Sequence, residues 1–225
     1  MARSRTLSSL ISDVRLRIDR QNSQYVSDTE LTEYINQSIT ELYDMLVAAR
    51  GHGYYMKSST IATVGGTDAY DLPADFYECT GVDALIAGDT VTLRPFMFDE
   101  RNMFKVAGIW SPALPIYYRL RDAKITFIPT PSGIYTVTLW YIPACPRLNF
   151  ENPNSFDGIN GWEEYVVCDA AAKAKEKEGL DSTALVARLA RLTRRIEGLA
   201  VQRDVGKPER VTDVEASSAR RRWVP

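Results

Sequence analysis

The hydrophobic period of this chain changes twice, and that limits the fold more than any other feature. Between residues 7 and 18, Leu7, Leu10, Ile11, Val14 and Ile18 recur at spacings of three and four. That is the helical period, with Asp13, Arg15 and Arg17 off the stripe. A helix this short is marginal alone and needs a partner. The partner begins at Ser27, three residues before Glu30, a capping-box spacing, with Val26 placed to staple onto Leu31. Leu31, Tyr34, Ile35, Ile39, Leu42 and Leu46 then form one apolar face through Ala49, and Gly51 and Gly53 close the helix.

From Lys57 the period falls to two. Residues 58–64 predict a strand, Gly65-Gly66-Thr67-Asp68 a turn, and 69–72 a short return, together a hairpin. Strands are expected over 77–84 and 89–94 around Ala87-Gly88-Asp89, and over 116–120 and 125–128 around Asp122-Ala123. A short helix is expected at 100–105, and the clearest strand at 135–142. Helical spacing then returns. Residues 162–178 carry an alanine-rich middle and end at Gly179. Asp181 or Ser182 caps a fourth helix, along which Leu185, Leu189, Leu192, Ile196 and Leu199 make a narrow seam. After Arg203 no apolar period remains.

These readings give an α+β chain: a four-helix bundle built from two helical hairpins, an inserted antiparallel β domain and an extended C-terminal tail. The expected boundaries are 1–56 and 149–202 for the hairpins, 57–148 for the β domain and 203–225 for the tail. At 225 residues the chain is long enough to bury a core without disulfides or metal. No run reaches the roughly 18 apolar residues of a membrane span, and the N-terminus lacks a signal-peptide core. Synthesis in a cytoplasm and no membrane partner are expected.

Composition argues against most chemistry. The net charge is −2, so the chain is not a generic polyanion binder. The single histidine, His52, and the three scattered cysteines, Cys79, Cys145 and Cys168, give no triad, zinc site or disulfide framework. There is neither a Walker A loop nor a dinucleotide-binding glycine pattern. The acid pairs Asp99-Glu100, Glu163-Glu164 and Asp68/Asp71 are candidates for acid–base work, against a plain reading as loop and first-turn carboxylates. No catalytic, cofactor or metal site is expected. The aromatics of the middle region read mainly as core, with stacking on sugars or bases as the alternative.

Two basic features remain. Arg188, Arg191, Arg194 and Arg195 lie off the apolar seam of the fourth helix and either face phosphates or form a solvated face. The tail ends Arg220-Arg221-Arg222-Trp223-Val224-Pro225, after isolated Val211 and Val214. Tryptophan can fill a pocket while arginines pair with anions, so this end reads as a docking arm.

Several segments together resemble one family. They are 25–39 (Tyr-Val-Ser-Asp-Thr-Glu-Leu onward), 68–77 (Asp-Ala-Tyr-Asp-Leu-Pro-Ala-Asp-Phe-Tyr) and Leu93-Arg94-Pro95-Phe96. Residues 125–131 with 135–143, and then 160–167 (Asn-Gly-Trp-Glu-Glu-Tyr-Val-Val), complete the set. The chain resembles the head-to-tail adaptor (head-completion, connector) proteins of tailed bacteriophages. That resemblance implies a non-enzymatic virion protein at the head–tail junction, without cofactor. It implies a ring beneath the portal protein, of roughly twelve copies to match portal symmetry. The partners implied are the portal, the next tail or nozzle component, further copies of the chain, and viral DNA in transient, non-specific contact. The C-terminal segment would dock on the portal through Val211, Val214, Arg220, Arg221, Arg222, Trp223, Val224 and Pro225, with Arg188, Arg191, Arg194 and Arg195 facing the ring or its lumen. A tail-associated cell-wall hydrolase and a DNA-binding scaffold are the competing readings.

Overall fold

The computed structural model describes residues 5–19, 25–50, 55–99, 114–150 and 161–200. Several helix ends lie where the local sequence provides a cap. In α1 (Leu7–Arg17) the Thr6 hydroxyl accepts the Ser9 N–H. Ahead of α2 (Asp28–Arg50), the capping box closes in both directions. Ser27 Oγ accepts the Glu30 N–H at 3.2 Å, and the Ser27 N–H donates to Glu30 Oε2 at 3.0 Å. Val26 and Leu31 are both fully buried, as the staple requires. Helix α3 (Glu163–Lys177) ends with Gly179 at φ 70°. The N–H groups of Gly179 and Leu180 donate to the carbonyls of Glu176 and Lys175, the paired bonds of a Schellman ending. Asp181 Oδ1 accepts the Thr183 N–H at 2.9 Å and opens α4 (Thr183–Ala200).

The four helices share one apolar core. Leu10 and Val14 of α1, Leu31 and Ile35 of α2, Trp162 and Val166 beside and within α3, and Ile196 of α4 are at most 1 % exposed. Ala170, Ala171 and Ala172 are buried on α3, where small side chains let α1, α2 and α4 come close. The α4 seam departs from expectation at its end. Leu199 is exposed and Ala200 is fully buried, because a straight helix needs a step of four after Ile196 to stay on the same face.

The middle region forms two four-stranded sheets. One runs in the order β1 (Lys57–Ala62), β8 (Thr136–Pro143), β3 (Phe76–Ile86), β4 (Asp89–Thr92). The other runs β2 (Ala69–Asp71), β7 (Lys124–Ile128), β6 (Tyr117–Arg121), β5 (Arg94–Pro95). Val82, Ala84, Val137, Leu139 and Tyr141 of the first sheet meet Ile125 and Phe127 of the second in a separate core. The β3–β4 and β6–β7 hairpins turn on Ala87-Gly88 and Asp122-Ala123, all four at positive φ, as tight two-residue turns require.

Three expectations are corrected. The strands around Gly65-Gly66 are not a hairpin: β1 pairs with β8, and β2 pairs with β7 in the other sheet. Past β1 the backbone bonds onward to the segment before β8, through Thr63 N–H to Tyr135 O and Gly66 N–H to Pro131 O, so the turn carries the chain between sheets. Nor is the unit antiparallel throughout, since β5 and β6 pair in parallel. The strand expected over 89–94 splits at Leu93. Its N–H donates to Val82 O in the first sheet, while the Arg94 N–H donates to Ile116 O in the second. The short helix expected at 100–105, and the tail from 203 onward, lie outside the described residues.

Candidate functional site

The exposed arginines of α4 are not equivalent. Arg188 Nη2 lies 2.8 Å from Glu164 Oε1, which also takes Arg17 Nη2 at 2.7 Å. One carboxylate thus joins α1, α3 and α4, and Arg188 belongs to that clamp. Arg191 donates weakly to Ala187 O on its own helix. Arg191, Arg194 and Arg195 are exposed on a face turned from the helical core.

The acid pairs do not converge. Glu164 is the clamp just described, and its neighbour Glu163 is buried at the start of α3, where negative charge suits a helix N-terminus. Asp71 pairs with Lys124 across β2 and β7 at 3.4 Å. Asp99 is exposed; Glu100 lies outside the described residues. Among the described residues no group of three or more metal-ligating side chains comes together.

The cysteines are equally separate. Cys79 neighbours Tyr118, Cys145 faces α2, and Cys168 lies beside Glu164 and Arg17. Burial pushes the thiols of Cys145 and Cys168 up to about 11, away from thiolate chemistry at neutral pH. His52 lies outside the described residues, as do Val211, Val214, Arg220, Arg221, Arg222, Trp223, Val224 and Pro225. Of the aromatics, Phe96 and Tyr141 are core, whereas Tyr77 and Phe98 are exposed.

The feature the sequence reading missed is the junction between α2 and the sheets. The Tyr43 hydroxyl donates to Pro143 O at 2.7 Å, and Tyr77 donates to Asp44 at 3.4 Å. Asp75 takes the Tyr141 hydroxyl at 2.8 Å and Lys57 Nζ at 3.1 Å. Those two donors, Tyr141 foremost, hold the Asp75 carboxyl below its ordinary range, while burial pushes the Tyr43 hydroxyl up to about 12. Farther along, buried Asn36 behaves as a strand partner. Its Nδ2 donates to Leu148 O at 3.0 Å and its Oδ1 accepts the Leu148 N–H at 2.8 Å. Arg147 reaches Glu33 beside it.

Between these ties lies an apolar cleft of about 640 Å³, lined among others by Leu42, Leu46, Met56, Ala74 and Cys145. A signal was present in the run Pro143-Ala144-Cys145-Pro146, uncharged yet unfit for a central strand. Such a segment after a strand suits a connection that lies against another element.

No described helix is long and apolar enough to cross a membrane. The model of the SU10 adaptor protein family matches residues 5–220, from before α1 into the arginine-rich end. No curated protein matches the sequence. The chain belongs to the SU10 adaptor family of phage head–tail adaptors, structural rather than enzymatic proteins.

Proposed function

We propose that this adaptor forms a ring under the portal of a tailed phage and joins it to the next tail or nozzle component. In this reading the hairpins of 1–56 and 149–202 make the body of the ring, 57–148 projects from it, and 203–225 is the arm that docks on the portal. The ring holds roughly twelve copies, set by the portal's symmetry, with head-to-tail contacts that close. It acts in the virion at the head–tail junction after synthesis in the host cytoplasm.

The observation that carries the reading is the family match over nearly the whole chain, which extends to residue 220 and so takes in most of the arm. The mechanism is binding. An extended arm ending in Arg220, Arg221, Arg222 and Trp223 costs ordering entropy when it docks, yet covers a large surface. Val211 and Val214 suit a strand-like lie, and Val224 and Pro225 finish the anchor. Repeating the contact around a ring multiplies attachment, because each bound arm raises the local concentration of the next.

The exposed α4 arginines favour a second, weaker role. Arg191, Arg194 and Arg195, with Arg188 at the edge of the row, would meet passing DNA through phosphates alone. Such contacts loosen steeply with salt and read no sequence.

The experiment compares full-length protein with a truncation ending at Gln202, each mixed with the cognate portal and imaged by electron microscopy. A ring on the portal with full-length protein and none with the truncation is the expected result. Equal binding by both removes the arm from the mechanism. No binding by either overturns the adaptor reading for that portal.

A further inference from the structure

The ribbon of β1 and β8 carries contrasting surfaces at its two ends. At one end, Lys57 and Pro143 border the apolar cleft against α2. Six register pairs away, about 20 Å along the strands, lies a tip made by residues 63–67 and 131–135.

The tip is heavily braced. Buried Thr63 donates its hydroxyl to Gly133 O at 2.9 Å and accepts the Tyr135 N–H at 2.8 Å. The Tyr70 hydroxyl takes the Val64 N–H at 2.7 Å. Gly65 lies so close to Ser132 that a Cβ there would stand 2.9 Å from the carbonyl oxygen. This bracing holds Val64 57 % exposed and Ile134 80 % exposed. Single apolar side chains on a surface are ordinary. Two of them on one fixed tip, within stretches 58–67 and 125–146 that contain no charged residue, are different in a chain that is 25 % charged. Loss of charge around a preorganised apolar group is what the centre of a protein interface looks like.

We propose that the Val64–Ile134 tip of one copy inserts into the α2–sheet cleft of the next copy. The inference rests on the ring reading above and supplies the neighbour contact within it. A second copy is the occupant because knob and hollow match in chemistry. Both are uncharged at their centres, and the one ion pair at the cleft, Lys57 with Asp75, is already satisfied within the chain. The hollow has room for two aliphatic side chains. Knob and hollow also sit at opposite ends of one ribbon, so the contact is heterologous: each copy gives one tip and receives one. Repetition of such a contact closes a ring when the rotation allows.

The test is complementation between two variants of the full chain. V64D/I134D spoils the tip, and M56E/A74E spoils the cleft; all four positions are exposed, and thermal melts check that each variant folds. Assembly is followed by mass photometry in solution and by copies retained on the portal. Each variant alone is expected to need a concentration roughly tenfold or more above wild type for half-assembly. Mixed, they are expected to give dimers and nothing larger, because only one productive contact per pair survives. V64S/I134S, which removes the apolar groups without adding charge, should weaken assembly in the same direction.

The proposal is overturned if the tip variant assembles like wild type, or if the mixture stays monomeric. It is also overturned if the cleft variant loses portal capture while keeping self-assembly, since the cleft then receives another protein. Wild type that rings the portal alongside an equally competent tip variant refutes this contact alone. Wild type that is never captured by the portal refutes the adaptor reading, while the mixing result in solution still scores the contact.

Discussion

The helical and β halves of the molecule are held together by different kinds of bond. The helices are tied to one another by charge: Arg17 and Arg188 on Glu164, Lys173 on Glu41, Lys177 on Glu30. Among the described residues the sheet region carries two such pairs, Lys57 with Asp75 and Lys124 with Asp71, both largely exposed. Its strands meet through backbone ladders and an apolar core, with 125–146 uncharged throughout. Ion pairs fix which helix faces which, at little net gain in stability. An uncharged strand surface is free to meet another protein. On the ring reading proposed above, the contrast suits a body that keeps its shape and a unit that meets partners.

The largest effect tests whether the two cores are separable. Trp162→Ala and Phe127→Ala each remove a fully buried aromatic, at a cost of ~3–5 kcal/mol. Hydrogen exchange should show lost protection mainly in the helices for the first and mainly in the strands for the second. Equal loss throughout would merge the halves into one cooperative unit. Next comes the seam between them. Asn36→Ala strands the buried N–H and C=O of Leu148 and should cost about 2–4 kcal/mol. Denaturant titration checks it; a cost within error of zero would mean the seam bears no strain.

A smaller effect belongs to the helical clamp. Glu164→Gln should cost about 0.5–1 kcal/mol, since the pairs are partly exposed, and less at high salt. A salt-independent loss would point to packing instead. The smallest effect is in pH. Glu30 is held below its ordinary range by Lys177 and by the Ser27 N–H. A carboxyl with a depressed folded pKa stabilises above its unfolded pKa and loses that contribution as pH falls through the folded value. Glu30→Gln should therefore flatten the acid limb of stability below about pH 4, with little change at pH 7. Thermal melts across that range decide it.

What the sequence revealed follows the range of the interactions. The ends of α2 and α3 were legible because Ser27 bonds Glu30 and Gly179 bonds Glu176, contacts within a turn of chain. The tight turns at Ala87-Gly88 and Asp122-Ala123 were legible for the same reason. Strand partners were not. Gly65-Gly66 looks like a hairpin turn, but only the distant segment 131–135 decides that the chain crosses to the other sheet there. The break at Leu93 is equally invisible locally. Of the candidate site, the arginine row of α4 was legible by spacing, whereas the capture of Arg188 by Glu164 needed the packing of α3 on α4. The α2–sheet seam depends on Asn36 and Leu148, 112 positions apart.

The pairing of β1 with β8 has an architectural consequence. Lys57 and Tyr141 are cross-strand partners, so the chain departs from α2 and comes back to it at points only about 5 Å apart. The sheets described between them hang from the helices like a drawer on one pair of runners. Such an insert can be exchanged, enlarged or trimmed to a short loop while the ends it must join stay where they are. The sheets are a cassette, joined to the helices through one narrow gate.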